Sequence, residues 1–131
     1  MTNLANYRPD PAPRGPKARH DGYFSDSPRM TIVLVARWVA RQGEEQAVAA
    51  AVAQLACAAR EEPGCLLLLA HRDPDDPRVF LFYEHFADEA ALVAHAETEH
   101  FRRHALEDAI PRLESRERSF YRLWEPADPG P

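Results

Sequence analysis

The fold is decided by residues 62–101, which read EPGCLLLLAHRDPDDPRVFLFYEHFADEAALVAHAETEHF. Two β-rich apolar runs, at 66–72 and 79–86, are separated by the turn sequence DPDDPR, which predicts an antiparallel hairpin. Asp88 is a natural N-cap for the helix that follows, and His95 lies on the inward face of that helix. The segment therefore predicts strand, turn, strand and helix, with an imidazole that faces the core.

The flanking sequence completes an α+β domain over residues 30–126. Upstream, the β-rich run at 31–39 predicts a strand and the alanine-rich run at 44–62 predicts a helix. Downstream, the second helix is expected to break near Thr98, and 116–124 predicts the last strand. Strand–helix–strand thus occurs twice, which is the split βαβ pattern (β-α-β-β-α-β) of a ferredoxin-like fold with an antiparallel four-stranded sheet.

Residues 1–29 are expected to form an arm outside the domain. Five of the chain's 12 prolines lie there, among mixed charges and few aliphatic residues. Such a composition has little to bury, so it predicts an extended or disordered segment, or one that docks on a neighbouring subunit. Residues 127–131 are expected to form a short C-terminal tail.

Composition excludes several classes of protein. The chain has 131 residues, a net charge of -5 and 45% apolar residues, which suits one domain with a moderate core. An acidic chain lacks the basic footprint of a nucleic-acid or polybasic membrane partner. No apolar run approaches the roughly 20 residues that span a bilayer, and no secretory leader is seen. Two cysteines suit a reducing compartment, so a cytoplasmic location is expected.

The predicted strands hardly alternate between apolar and polar residues. The runs IVLVA, LLLLA and VFLFY are apolar throughout, whereas a sheet with one wet face should alternate. Both faces are therefore expected to be buried, although two helices cover only one of them. The sequence predicts a homodimer through sheet-to-sheet packing. The alternative is a sheet that the arm or the tail partly covers.

Several motifs in order resemble the antibiotic biosynthesis monooxygenase domain, over residues 30 to about 124: EEPGC at 61–65, HRDPDDP at 71–77, Tyr83-Glu84, DEAALVAH at 88–95 and His100-Phe101. The resemblance implies a ferredoxin-like subunit that pairs into a dimeric α+β barrel, with a pocket between sheet and helices. Members of that family include cofactor-free oxygenases of polycyclic phenols or quinols, haem-degrading enzymes and a branch that processes a signalling sugar.

His95 is the candidate catalytic residue. It follows Ala91 by four positions and Leu92 by three, so it shares their inward face. An imidazole there can act as a general base near neutral pH. In a cofactor-free oxygenase the base strips a proton from a phenol, and the resulting anion passes an electron to dioxygen. The alternative is a core histidine that bonds to a backbone carbonyl.

The hairpin supplies the candidate substrate-binding residues. His71, Tyr83 and His85 are expected to orient a phenolic oxygen, or else to be half-exposed strand residues. Glu84 points to the face opposite Tyr83, and its expected role is structural, with Arg37 as a partner across strands or subunits. Three aromatic side chains are expected to form a wall for flat rings, or else plain core: Trp38, Phe82 and Phe86.

No cofactor or metal is predicted. His100 and His104 are four residues apart, an interval that metal ligands use, but no third ligand is evident in the sequence. No glycine-rich phosphate loop or dinucleotide fingerprint occurs. Relatives that degrade haem use an asparagine in the first strand and a tryptophan in the third, and this domain has neither. Haem binding or degradation is therefore disfavoured, although His95 could serve as an axial ligand.

Two hypotheses of function follow. The leading one is a cofactor-independent monooxygenase that oxidises a small aromatic quinol or phenol with dioxygen. The alternative is a non-catalytic dimeric module that binds a hydrophobic metabolite. The leucine-only run at 66–69 favours this alternative, because it removes polar groups from the expected pocket.

Overall fold

The computed structural model describes residues 31–124, 126 and 130. The predicted N-terminal arm (1–29) lies outside the described residues, as does the C-terminal tail (127–131) apart from residue 130. No helix of the described residues is long and apolar enough to cross a membrane.

Residues 31–124 form four strands and three helices. In order these are β1 (Ile32–Ala40), α1 (Glu45–Ala59), β2 (Cys65–Arg72), β3 (Val79–Phe86), α2 (Glu89–Ala96), α3 (Phe101–Ala109) and β4 (Leu113–Arg122). The strands are antiparallel in the order β2-β3-β1-β4. The predicted ferredoxin-like α+β fold with its split βαβ order is confirmed.

Local chemistry explains where these elements begin and end. The Asp88 side chain accepts a hydrogen bond of 2.8 Å from the backbone N–H of Ala91, as an N-cap should. In the β2–β3 turn, the Asp73 carboxylate accepts from the backbone N–H groups of Asp75 and Asp76 at 2.8 and 3.0 Å. The predicted cap and turn are therefore both confirmed.

The last helix and strand differ from the prediction. The helix α3 is wound as a π-helix, and at its end the Ile110 N–H donates to the oxygen of Ala105, five residues back. A 3₁₀ turn, Ile110–Arg112, then leads into β4. The strand begins at Leu113 rather than at 116 because this buried leucine pairs with Ala40, beside a register shift in β1.

The two faces of the sheet have different surroundings. On the inner face, Trp38 and Phe82 join one buried cluster with Val48 of α1 and Leu92 of α2. By the strand register, three large apolar side chains of the outer face are 37–57% exposed: Leu69, Leu81 and Tyr121. The helices thus cover the inner face, and the core lies there.

Candidate functional site

A small cavity of about 40 Å³ lies between the inner face of the sheet and the helices. Its walls are mostly aliphatic and aromatic, contributed by Leu34, Ala36, Trp38, Leu55, Ala56, Leu68, Phe82, Leu92, Ala96 and Phe101. Four ionisable side chains interrupt this apolar lining: Glu84, His95, Arg116 and Arg118. An apolar hollow with a few convergent polar groups is the usual form of a small-molecule site.

His95 is held in the cavity wall by a carboxylate. Its side chain is almost fully buried, and its Nδ1 lies 2.9 Å from Oε2 of Glu62. Because a carboxylate only accepts hydrogen bonds, this Nδ1 carries a proton and donates it. The rings of Phe86 and Phe101 flank the imidazole at centroid distances of 5.0 and 5.1 Å. The partner of His95 is thus an acid rather than a backbone carbonyl.

Glu62 reaches His95 because the chain behind it packs closely against α2. A Cβ placed on Gly64 would lie 2.3 Å from Cβ of Ala91, so only glycine allows this approach. Glu62 also lies 2.6 Å, through Oε2, from Nε2 of His100. Burial raises the pKa of Glu62, but hydrogen bonds and charge from the two histidines outweigh it and bring the pKa below its usual value.

Glu84 of β3 is the buried acid of the cavity. Its Oε1 lies 3.9 Å from Nε2 of His95. Burial raises the pKa of Glu84 to about 7, against the opposing charge of His95. The expected pairing with Arg37 across strands is wrong, because Arg37 stands opposite Leu81 and therefore lies on the other face of the sheet.

Two arginines of β4 complete the polar lining, and sequence reasoning missed both. Arg116 and Arg118 stand opposite Trp38 and Ala36 in the register, so they share the inner face. Burial, with a smaller effect from the charge of Arg118, lowers the pKa of Arg116 to about 9. Their two-residue spacing was a usable signal, but arginines in a strand are ordinarily exposed.

The predicted aromatic wall is partly at the cavity. Trp38 and Phe82 line it and meet edge to face at a centroid distance of 4.7 Å. Phe86 is fully buried behind His95 and does not line the cavity.

The three predicted orienting residues lie on the outer face, away from this cavity. Tyr83 and His85 alternate along β3 with the inward Phe82 and Glu84, and their own rings meet at 5.0 Å. His71 is exposed, with Nδ1 3.2 Å from the oxygen of Leu81. These side chains were assigned to the wrong face of the hairpin, because Phe82 and Glu84, rather than Tyr83 and His85, are the β3 residues that meet the cavity.

One cluster has the donor atoms of a metal site. Ligand atoms of Glu62, His95 and His100 all lie within 4.8 Å of one another. The sequence pattern had paired His100 with His104 and offered no third ligand. The fold instead brings His100 to Glu62, from 38 residues earlier, and to the neighbouring His95.

Comparison with known proteins agrees with this architecture. The family model for antibiotic biosynthesis monooxygenases matches residues 31–106. No curated protein matches the chain significantly.

Several crystal structures share the fold. One from Pseudomonas aeruginosa is 30% identical with a TM-score of 0.67, covering 73% of this chain and 96% of its own. One from Shewanella oneidensis is 30% identical with a TM-score of 0.64, covering 72% of this chain and 92% of its own. A structure named as an antibiotic biosynthesis monooxygenase is 25% identical with a TM-score of 0.68, covering 72% of this chain and 99% of its own. Because the family match spans more than half of the sequence, the chain belongs to the antibiotic biosynthesis monooxygenase family.

Proposed function

We propose that the protein is a cofactor-independent monooxygenase that oxidises a small aromatic quinol or phenol with dioxygen. The observation that carries this proposal is the imidazole of His95, held by Glu62 in the wall of an otherwise apolar cavity. A buried base beside an apolar hollow suits a reaction that needs an anion, dioxygen and little water.

Glu62 determines which nitrogen of His95 does the chemistry. Because Nδ1 donates to Glu62, the lone pair of a neutral ring is on Nε2, the nitrogen that faces Glu84. In the proposed reaction Nε2 takes the phenolic proton, and the phenolate passes one electron to dioxygen. The resulting substrate radical and superoxide combine at a ring carbon as a peroxide. Loss of water from this hydroperoxide then leaves a carbonyl at that carbon. One oxygen atom of dioxygen is thus bound to the ring carbon, and the other departs as water.

The substrate alone supplies the electrons for this reaction. A phenol, C₆H₆O, and dioxygen become a quinone, C₆H₄O₂, and water, so no separate reductant is required. The guanidinium groups of Arg116 and Arg118 line the same cavity, and their positive charge favours the phenolate over the neutral phenol.

The volume of the cavity limits the substrate. About 40 Å³ is well below the roughly 150 Å³ of an apolar protein cavity that admits benzene. Side chains of the wall must therefore move before a ring enters. This favours a small aromatic substrate over a polycyclic one.

The proposed assembly is a homodimer in the cytoplasm. Exposed Leu69, Leu81 and Tyr121 lie on the outer face of the sheet, which also carries Arg37 and His71, and a second copy of the chain would bury these apolar side chains. Light scattering at micromolar concentration should report twice the mass of one chain, and Leu81→Asp should reduce it to one. Ala50→Asp, on the exposed side of α1, is the matched control and should leave the dimer intact.

Oxygen uptake with a panel of quinols tests the activity. We expect uptake above the autoxidation rate, with a loss of about 10²-fold or more in His95→Gln. His104→Gln removes another histidine of the same helical region and should keep the full rate. No uptake above autoxidation, or an unchanged rate in His95→Gln, would refute the proposal.

The binding-module hypothesis loses its main support. Of the leucines at 66–69, only Leu68 lines the cavity, and Leu66 and Leu69 are exposed. The leucine run therefore does not remove polar groups from the cavity. Ligand binding without turnover across the same panel would nevertheless favour the module over the enzyme.

The residues around His95 do not fit a haem. Nδ1 of His95 is engaged by Glu62, and Nε2 faces the Glu84 carboxylate across a cavity of about 40 Å³. Added haemin should give no Soret band of a bound haem.

A further inference from the structure

We infer that Glu62, His95 and His100 form a binding site for one divalent transition-metal ion, of the Zn²⁺ or Co²⁺ class. Oε2 of Glu62 lies 2.9 Å from Nδ1 of His95 and 2.6 Å from Nε2 of His100. All the donor atoms lie within 4.8 Å of one another. Glu62 thus meets two histidines that lie more than 30 positions further along the chain, and the three ligand side chains converge on one small volume.

The donor set suits such an ion. Two imidazoles and one carboxylate are the ligands that zinc and its neighbours accept, with bonds of about 2.0–2.2 Å. Ligand atoms at those bond lengths are separated by about 3 Å or slightly more. The two separations from Oε2 of Glu62, 2.9 and 2.6 Å, are slightly shorter than that value, so the three side chains enclose an ion after small rotations that move the ligand atoms apart.

The backbone holds the three ligands in place. Glu62 follows α1 and is brought toward α2 by the close contact between Gly64 and Ala91. The turn that joins the two histidines is held by Thr98, whose Oγ1 donates to the oxygen of His95 at 2.8 Å and accepts from Phe101 N–H at 3.2 Å. The spacing of the ligands is therefore determined by the fold before any ion binds.

Glu84 provides the outer partner that a metal-bound histidine ordinarily has. When Nδ1 binds a metal, Nε2 carries the proton and needs an acceptor. Nε2 of His95 faces Oε1 of Glu84 at 3.9 Å. The carboxylate–histidine–metal arrangement therefore needs only a slight closure of this gap.

The metal site and the cavity lie on opposite sides of the same imidazole. Glu84 lines the cavity, whereas Glu62 and His100 do not. The His100 side chain is 24% exposed, so an ion can enter from solvent, and water can fill its remaining coordination positions. An ion at Nδ1 leaves the ring proton on Nε2, so the ion-bound chain lacks the base of the proposed oxygenation. Binding of the ion is measured directly and does not require that activity.

Cobalt titration of the metal-stripped full chain tests the site. We expect one Co²⁺ per chain, with visible absorption bands from the bound ion that excess Zn²⁺ removes. Removal of an outer partner such as Glu84 ordinarily weakens metal affinity by about tenfold or more. Glu62→Gln and His100→Gln each remove a ligand, so they should weaken Co²⁺ affinity by more than about tenfold. His104→Gln is the matched control and should bind as the unchanged protein does.

A second measurement keeps the test valid if one variant folds poorly. His100 is partly exposed, so His100→Gln should keep the circular dichroism spectrum of the unchanged chain. Co²⁺ should raise the melting temperature of the unchanged chain and of His104→Gln but not that of folded His100→Gln. Absence of bands in the unchanged protein, equal affinity in His100→Gln, or loss of binding only in His104→Gln would overturn the inference.

Discussion

The two faces of β3 differ in exposure and in the side chains that they carry. Phe82, Glu84 and Phe86 point inward and are at most 5% exposed. Tyr83 and His85 alternate with them and point to the outer face, where Leu81 is 37% exposed. Since successive strand residues face opposite ways, a shift of one residue decides which ionisable group meets the cavity.

The inner face should dominate the stability of the fold. Phe86 is fully buried, so Phe86→Ala should lower the free energy of unfolding by about 3–5 kcal/mol. Leu81→Ala on the outer face should cost much less in a single protomer, because part of that side chain is already in water. Urea denaturation of both variants, at a concentration where light scattering reports one chain, checks this. Equal losses would contradict the difference between the faces.

Glu84 should make the inner face sensitive to pH. Its pKa is raised from 4.5 to about 7 by burial, with Glu62 adding to the rise and His95 opposing it. A carboxyl group with a raised pKa in the folded state is destabilising once it must ionise. Stability should therefore fall as pH rises from about 4.5 to 7, by roughly 2–3 kcal/mol.

Urea denaturation of the unchanged metal-free chain and of Glu84→Gln at each pH gives the difference between their free energies of unfolding. The other ionisable groups are the same in both proteins, so their effects largely cancel in that difference. The fall in the free energy of unfolding with rising pH should be absent in Glu84→Gln. A decrease of equal size in both proteins would show that Glu84 is not its source.

The approach of α2 to the sheet should depend on one glycine. Gly64→Ala places its Cβ against Ala91, and the overpacking should cost about 1–3 kcal/mol. It should also move Glu62 away from His95. Adding Ala91→Gly removes the opposing methyl group and should restore most of the loss. Thermal melts of the single and double variants check the coupling, which is absent if their losses simply add.

The smallest effect concerns the two cysteines, which differ in exposure. Burial raises the pKa of Cys65 to about 11, whereas Cys57 is exposed on α1. At pH 8 only about one Cys65 side chain in a thousand is then a thiolate. A thiol reagent should label Cys57 at least tenfold faster, as mass spectrometry of Cys57→Ser and Cys65→Ser would show. Equal rates would place Cys65 in solvent.

Local patterns predicted most of the fold. The Asp88 cap, the DPDDPR turn and the β-rich runs were each readable from a few neighbouring residues. His95 was also located correctly on the inner face of α2, because helical periodicity relates it to the buried Leu92. The π-helix of α3 and the early start of β4 were missed, since both depend on packing rather than on local preference.

Local patterns did not predict which face of the sheet each β3 side chain occupies. In a strand that is apolar on both sides, Tyr83 and Glu84 are equally plausible inward residues, because alternation carries no signal. The arginines of β4 were missed for a related reason. Their burial follows from pairing with β1, which is distant in sequence.

The sequence by itself determined the order of strands and helices, the family and the inward position of His95. These follow from spacing, capping and turn chemistry within short stretches of chain. Only the tertiary structure decided that His95 lies between two carboxylates and that His100 joins Glu62. Those contacts join residues more than 30 positions apart or depend on strand register, and burial and charge act on the atoms that the fold brings together.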